Sequence, residues 1–205
     1  MRKIIICNMT MRESIEPLVY QTEDGSLRVS DRAVIYPVLS CIRNMLSPAD
    51  SVKIVLFCKC DPNGNYLRNV SRFQKEFDEQ CDGIGIEPEY QFINTEFDEE
   101  REATEKLLSQ IVSACEDGAE IISDIAYGTK TMPVVLLAAL SFAVKHLGCK
   151  VRHIFYGQVY FQDGVPTQPK ICDLSYLIYL NSLLNTLHCD SPGKAREALV
   201  KLLEL

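Results

Sequence analysis

Residues Ala119 to Met132 read A-E-I-I-S-D-I-A-Y-G-T-K-T-M. Ile121, Ile122 and Ile125 form a short β-branched apolar run, the mark of a strand covered on both faces. Tyr127-Gly128 interrupts the run, and Thr129, Lys130 and Thr131 follow it. Pro133 suits the first turn of a helix, where a missing N–H costs nothing. The segment from Pro133 to His146 is apolar nearly all round, which predicts a buried helix. Strand, tight turn and covering helix together make the repeating unit of an α/β sheet.

The turn has a chemistry of its own. Gly128 lets the backbone approach a ligand closely. Thr129 and Thr131 bring hydroxyls, Lys130 a cation, and the helix start its free N–H groups. Such a set makes an anion site suited to phosphate. It would lie at the carboxyl end of a strand, where open α/β sheets bind ligands. A plain β–α turn with a solvated lysine accounts for the same residues. The G-x-x-x-x-G-K-[ST] and G-x-G-x-x-G spacings are both absent.

Outward from this stretch the chain alternates. Arg2 to Cys7 is a strand ending in the polar turn Asn8-Met9-Thr10. Residues 17–30 read as a hairpin about Glu23-Asp24-Gly25. Arg32 to Leu46 reads as a helix, kinked or begun at Pro37. Ser51 to Cys58 is a strand, Asp61-Pro62-Asn63-Gly64 a turn, and residues 65–80 a weaker helix. Glu89 to Ile93 is a strand. Phe97 to Cys115 is a helix whose acidic start suits its dipole. Lys150 to Tyr156 is a further strand, and Gln158 to Phe161 with Lys170 to Cys172 form a closing hairpin. Helices over Leu174 to Leu187 and Pro192 to Leu203 finish the chain.

The pattern predicts a Rossmann-like, doubly wound and mostly parallel sheet with a C-terminal helical extension. Residues 1–173 form the domain, and 174–205 serve dimerisation or connection. Asn8-Met9-Thr10 and Gly128-Thr129-Lys130 should meet at the sheet's crevice.

Composition narrows the function. The chain has 205 residues, 47% of them hydrophobic, enough for one core. A formal net charge of −7 argues against a duplex nucleic-acid footprint. It leaves room for one small anionic ligand. The apolar runs are too short and interrupted to span a bilayer, and no signal-peptide core follows Met1. The nine cysteines fall largely in strand and helix patterns, as buried thiols of a reducing cytoplasm would. His146, His153 and His188 lack ligand partners at strand or helical spacing, and the acidic cluster Glu96 to Glu102 reads as a solvated helix start. Neither metal nor cofactor is expected.

The first strand with its polar turn (I-I-I-C-N-M-T), Pro17-Leu18-Val19-Tyr20, and above all D-I-A-Y-G-T-K-T-M-P from Asp124 to Pro133 resemble the CARF domain, the CRISPR-associated Rossmann fold. In that family a strand ends in Asp-x-[Thr/Ser]-x-Gly-[Thr/Leu/Phe]-[Lys/Arg] before an apolar helix. Ala126 here replaces the usual hydroxyl residue. The resemblance covers roughly residues 1–175. The segment from Asp173 to Leu177 is similar to the place where such domains hand over to an effector.

The resemblance implies a homodimer that binds cyclic oligoadenylate, of four or six units, across its dyad to regulate a type III CRISPR effector. A C2 dimer presents each pocket turn twice to a symmetric ring. Asn8, Met9, Thr10, Ala126, Tyr127, Gly128, Thr129, Lys130, Thr131 and Met132 are the implied ligand contacts. Lys130 would face phosphate, and Asn8 and Thr10 ribose or adenine. No effector fits in this length, so either the chain is a sensor domain cut from a longer protein with an attached effector, the favoured expectation, or it stands alone. Two other functions compete. A metal-independent ring nuclease would use Lys130 and Thr10 to assist attack by a ribose 2′-OH. A DNA-binding regulator fragment would need a basic recognition helix, and the final helices are poor in Lys and Arg.

Overall fold

The alternating apolar runs pair as a sheet in the order β3-β2-β1-β4-β5-β6. The computed structural model describes residues 1–59, 64–95 and 99–204. Its strands are β1 (Arg2–Asn8), β2 (Ser51–Lys59), β3 (Glu89–Thr95), β4 (Glu120–Asp124), β5 (Lys150–Gln162) and β6 (Val165–Asp173). Its helices are α1 (Leu39–Ile42), α2 (Asn65–Gln80), α3 (Arg101–Ala114), α4 (Met132–His146), α5 (Tyr176–Thr186) and α6 (Pro192–Leu203). All neighbouring pairs are parallel except β5–β6. The fold is thus α/β and Rossmann-like, with a C-terminal helical extension.

Alternate side chains of the sheet feed two cores. Ile5, Cys7, Ile54, Leu56 and Ile122 pack with Leu39, Ile42, Phe73 and Phe77 of α1 and α2. Ile4, Ile6, Val55, Phe57 and Ile121 pack with Ile111, Leu136, Ala139 and Leu140 of α3 and α4. β1 and β4 are neighbours, and the crossovers diverge from between them to opposite faces. That point is the switch where ligands enter such sheets.

Several sequence expectations change. Residues 17–30 do not form a hairpin. Asp24 does organise a turn, accepting the N–H and hydroxyl of Ser26. Its flanks pair elsewhere: Leu18 bridges Val34, and Gln21 bridges Lys170 of β6. The free side of β6 offers N–H and C=O groups that this strap satisfies.

The helix expected over Arg32 to Leu46 contracts to Leu39–Ile42. Two carboxylates supply the reason. Glu76 accepts the N–H groups of Ile35 and Tyr36, and Asp124 accepts that of Val38 at 2.8 Å. These bonds hold residues 35–38 in an irregular path that a helix would break.

α4 is not buried all round. Met132, Leu136, Ala139, Leu140 and Ala143 face the core, while Val134 is 69% exposed and Leu137 and Phe142 lie open. β5 runs unbroken through Gly157 to Gln162, and β6 begins at Val165 rather than Lys170. Asp163 and Gly164 join them with φ of 52° and 80°, the signature of a two-residue hairpin turn. The helix expected from Phe97 begins at Arg101. Glu96, Phe97 and Asp98, like Cys60 and the turn at Asp61-Pro62-Asn63, lie outside the described residues. Cys7, Cys41, Cys58, Cys115 and Cys149 are buried and in no disulfide, and Cys172 is half-buried. Among the described residues no helix is long and apolar enough to cross a membrane.

Candidate functional site

At the carboxyl ends of β1, β2, β3 and β4 lies a cavity of about 650 Å³. The loop after β1 forms one wall. Asn8 is 3% exposed, and its Nδ2 has no hydrogen-bond partner among the described residues. Met9 continues the pairing, its N–H reaching the Phe57 carbonyl at 2.9 Å. Thr10 is buried. Its hydroxyl accepts the Arg12 N–H, and its carbonyl accepts the Asn69 amide.

The β4–α4 turn forms the facing wall. Asp124 fixes its start by accepting the Ala126 N–H at 2.7 Å. Burial pushes the Asp124 carboxyl up to about 6 against the pull of the Ala126 and Val38 N–H groups. The Tyr127 hydroxyl donates to the Ile35 carbonyl, and its ring meets Tyr36 edge-on at 5.6 Å. Gly128 has φ 109°, and a Cβ there would stand 3.2 Å from the Asn8 Cγ. Only glycine lets the two walls approach so closely. Thr129 and Thr131 hydroxyls lie 2.9 Å apart. Thr131 donates to Glu99 at 2.7 Å, so Thr129 donates to Thr131. Met132 is buried at the start of α4.

The cavity thus gathers Asn8, Met9, Thr10, Ala126, Tyr127, Gly128, Thr129, Thr131 and Met132, nine of the residues picked from the sequence. Lys130 is exposed and is not among the lining residues. Sequence reasoning missed the cations that do line it. Among the described residues Arg12, Lys59 and Lys106 stand there against Glu16 and Glu99, three positive charges to two negative. A chain of net charge −7 therefore brings cations together in its crevice. Lys59 had one legible signal. It ends an apolar strand that neighbours β1, so the same crevice rule that selected Asn8 also points to it.

The remaining walls come from the β5–β6 hairpin, through Tyr156, Gly157, Phe161 and Pro166, and from Tyr20 of the strap. Aromatic and apolar surface beside a few cations and amides suits a ligand carrying both rings and phosphate. His146 ends α4 against Phe142, ring centroids 4.7 Å apart, where a helix terminus favours a base. Among the described residues no three His, Cys, Asp or Glu side chains gather as a metal site. No family model matches the chain, and no curated protein matches it.

Proposed function

We propose that this chain is a cytoplasmic ligand-sensing domain of the CARF type. As a homodimer it binds cyclic oligoadenylate and so regulates a type III CRISPR effector carried on an attached domain. The observation that carries this reading is the cavity at the β1/β4 switch point, lined by Arg12, Lys59 and Lys106 and by an Asn8 amide donor left unpaired among the described residues. The lining supplies phosphate-compatible groups on one side and tyrosine and phenylalanine surface for bases on the other. Sensing is favoured over cleavage by two placements. The Thr10 hydroxyl is engaged by the Arg12 N–H, and Lys130 stands outside the lining. The two groups on which the ring-nuclease reading relied are thus not both free to act on a ligand in the cavity.

Calorimetry with cyclic tetra- and hexa-adenylate, followed by chromatography of the recovered ligand in EDTA, tests the proposal. The expected result is saturable binding to one ring size with the ring recovered intact. Linear products formed in EDTA would assign the ring-nuclease function instead. An absence of binding to either ring would overturn the proposal.

A further inference from the structure

One of the acidic residues lining the cavity has an unusual position. Glu99 Oε2 accepts the Thr131 hydroxyl at 2.7 Å, and Glu99 Oε1 stands 4.0 Å from Lys59 Nζ. The Lys59 side chain is 10% exposed and that of Glu99 37%. Thr131 sits at the N-cap of α4, where its side chain makes no capping bond. A carboxylate therefore rests where a buried ammonium, a pair of hydroxyls and a helix start converge. Each of those groups favours negative charge. A second feature points the same way independently. The Asn8 amide lines the same cavity, is 3% exposed, and leaves its Nδ2 donor unpaired among the described residues. Buried donors without acceptors are rare in folded chains and mark places where a ligand completes the set.

We infer that Glu99 is an internal occupant of the cavity's anion subsite, and that a ligand phosphate binds by displacing it from Lys59 and Thr131. The inference rests on the reading of this cavity as a phosphate-ligand site. The Lys59 ammonium and the Thr131 hydroxyl, which Glu99 now contacts, offer a phosphodiester the same two groups, and a phosphodiester brings the same single negative charge as the carboxylate it replaces. The separation also suits exchange. At 4.0 Å the pair is beyond hydrogen-bond distance, a looser contact than the Arg2–Glu116 pair at 2.6 Å. Release of Glu99 also frees the residue preceding the Glu100 N-cap of α3, and α3 packs on α4. Ligand exchange is thereby tied to the helix pair that covers this face of the sheet.

The test uses Glu99→Gln, Glu99→Ala and Lys59→Met, with far-UV melting curves to show that each is folded. The probes are inorganic phosphate, adenosine monophosphate, and cyclic tetra- and hexa-adenylate, measured by calorimetry at matched ionic strength. Loss of the competing carboxylate should tighten phosphate-bearing probes by at least about tenfold, and Lys59→Met should weaken them by a similar factor. Wild-type affinity in both Glu99 variants overturns the inference. So does unchanged binding of cyclic oligoadenylate by Lys59→Met, an outcome that leaves the sensing proposal standing. Tightened binding of phosphate and adenosine monophosphate, with neither ring bound by any variant, upholds the subsite and overturns the cyclic ligand. No binding of any probe by any variant overturns both.

Discussion

Gly128 and Asn8 show how single residues set the site. A side chain at φ 109° strains the backbone, and at 3.2 Å it would press on the Asn8 amide. Gly128→Ala should therefore lower unfolding free energy by about 1–3 kcal/mol in urea titration and weaken ligand binding. A variant as stable as wild type would contradict this account. Asp124 is the second such residue. Its carboxyl ionises near 3.8 ordinarily but at about 6 in the fold, because burial opposes charge. The folded state thus holds this proton more tightly than the unfolded state. Its stabilising contribution is present below pH 3.8 and is lost as pH rises through about 6. The difference is worth up to about 3 kcal/mol. Denaturant titrations of wild type and Asp124→Asn between about pH 4 and pH 7 should show wild type losing ground to the variant as pH rises. Parallel profiles would overturn the assignment. At this scale the strand, turn and helix of Ala119 to Met132 were legible, since the signals are local, although Lys130 of that turn stands outside the cavity. Lys59 and Glu99 were not, because their meeting with Thr131 joins three distant parts of the chain.

Among the elements, the segment between the strap and α1 departs most from its sequence pattern. Apolar residues from Val34 to Leu46 suggest a helix, but Glu76 and Asp124 reach in from α2 and β4 and take the N–H groups of Ile35, Tyr36 and Val38. Side-chain acceptors from elsewhere then replace the bonds a longer helix would make. β5 meets this segment closely. A Cβ on Gly157 would lie 2.4 Å from the Pro37 Cγ, and a proline ring has little freedom to yield. Gly157→Ala should cost about 1–3 kcal/mol, seen as a lower melting temperature. An unchanged melt would mean that β5 and Pro37 can separate. Beyond β6, Asp173 anchors the start of α5. Burial favours its neutral form, but hydrogen bonds from His153, Ser175 and Ile154 prevail and hold the carboxyl below its ordinary range. That anchor is stable above the ordinary carboxylate pKa and weakens as pH falls below it.

Taken whole, the molecule covers both faces of its sheet and leaves the outside of α4 and α5 apolar. Val134 and Phe142 of α4 and Tyr176, Leu183 and Leu184 of α5 are open, and the two helices pack on each other. Exposed apolar surface shared by neighbouring helices marks an interaction face. We expect a second copy of the chain to cover it, giving a dimer without ligand. Light scattering at micromolar concentration should report twice the chain mass, and Leu183→Glu combined with Val134→Glu should halve it. A monomeric wild type would count against the dimer.

The order of strands and helices was legible because parallel strands buried on both faces read as unbroken apolar runs, and each turn carries its own Gly, Pro or Asp signal. The crevice followed from that order, since a doubly wound sheet has one switch point. From sequence alone the turns Asn8-Met9-Thr10 and Gly128-Thr129-Lys130 were expected to meet there, and Gly128 does stand against Asn8. Only the tertiary structure decided that Lys59 rather than Lys130 lines the cavity, and that Glu99 shares its space. The same holds for the path of residues 17–38, which partners in α2, β4 and β6 impose. Periodicity reports which face of an element is apolar. It carries no record of which distant carboxylate or amine will reach a given backbone or cavity, because those pairings are set by how the elements pack.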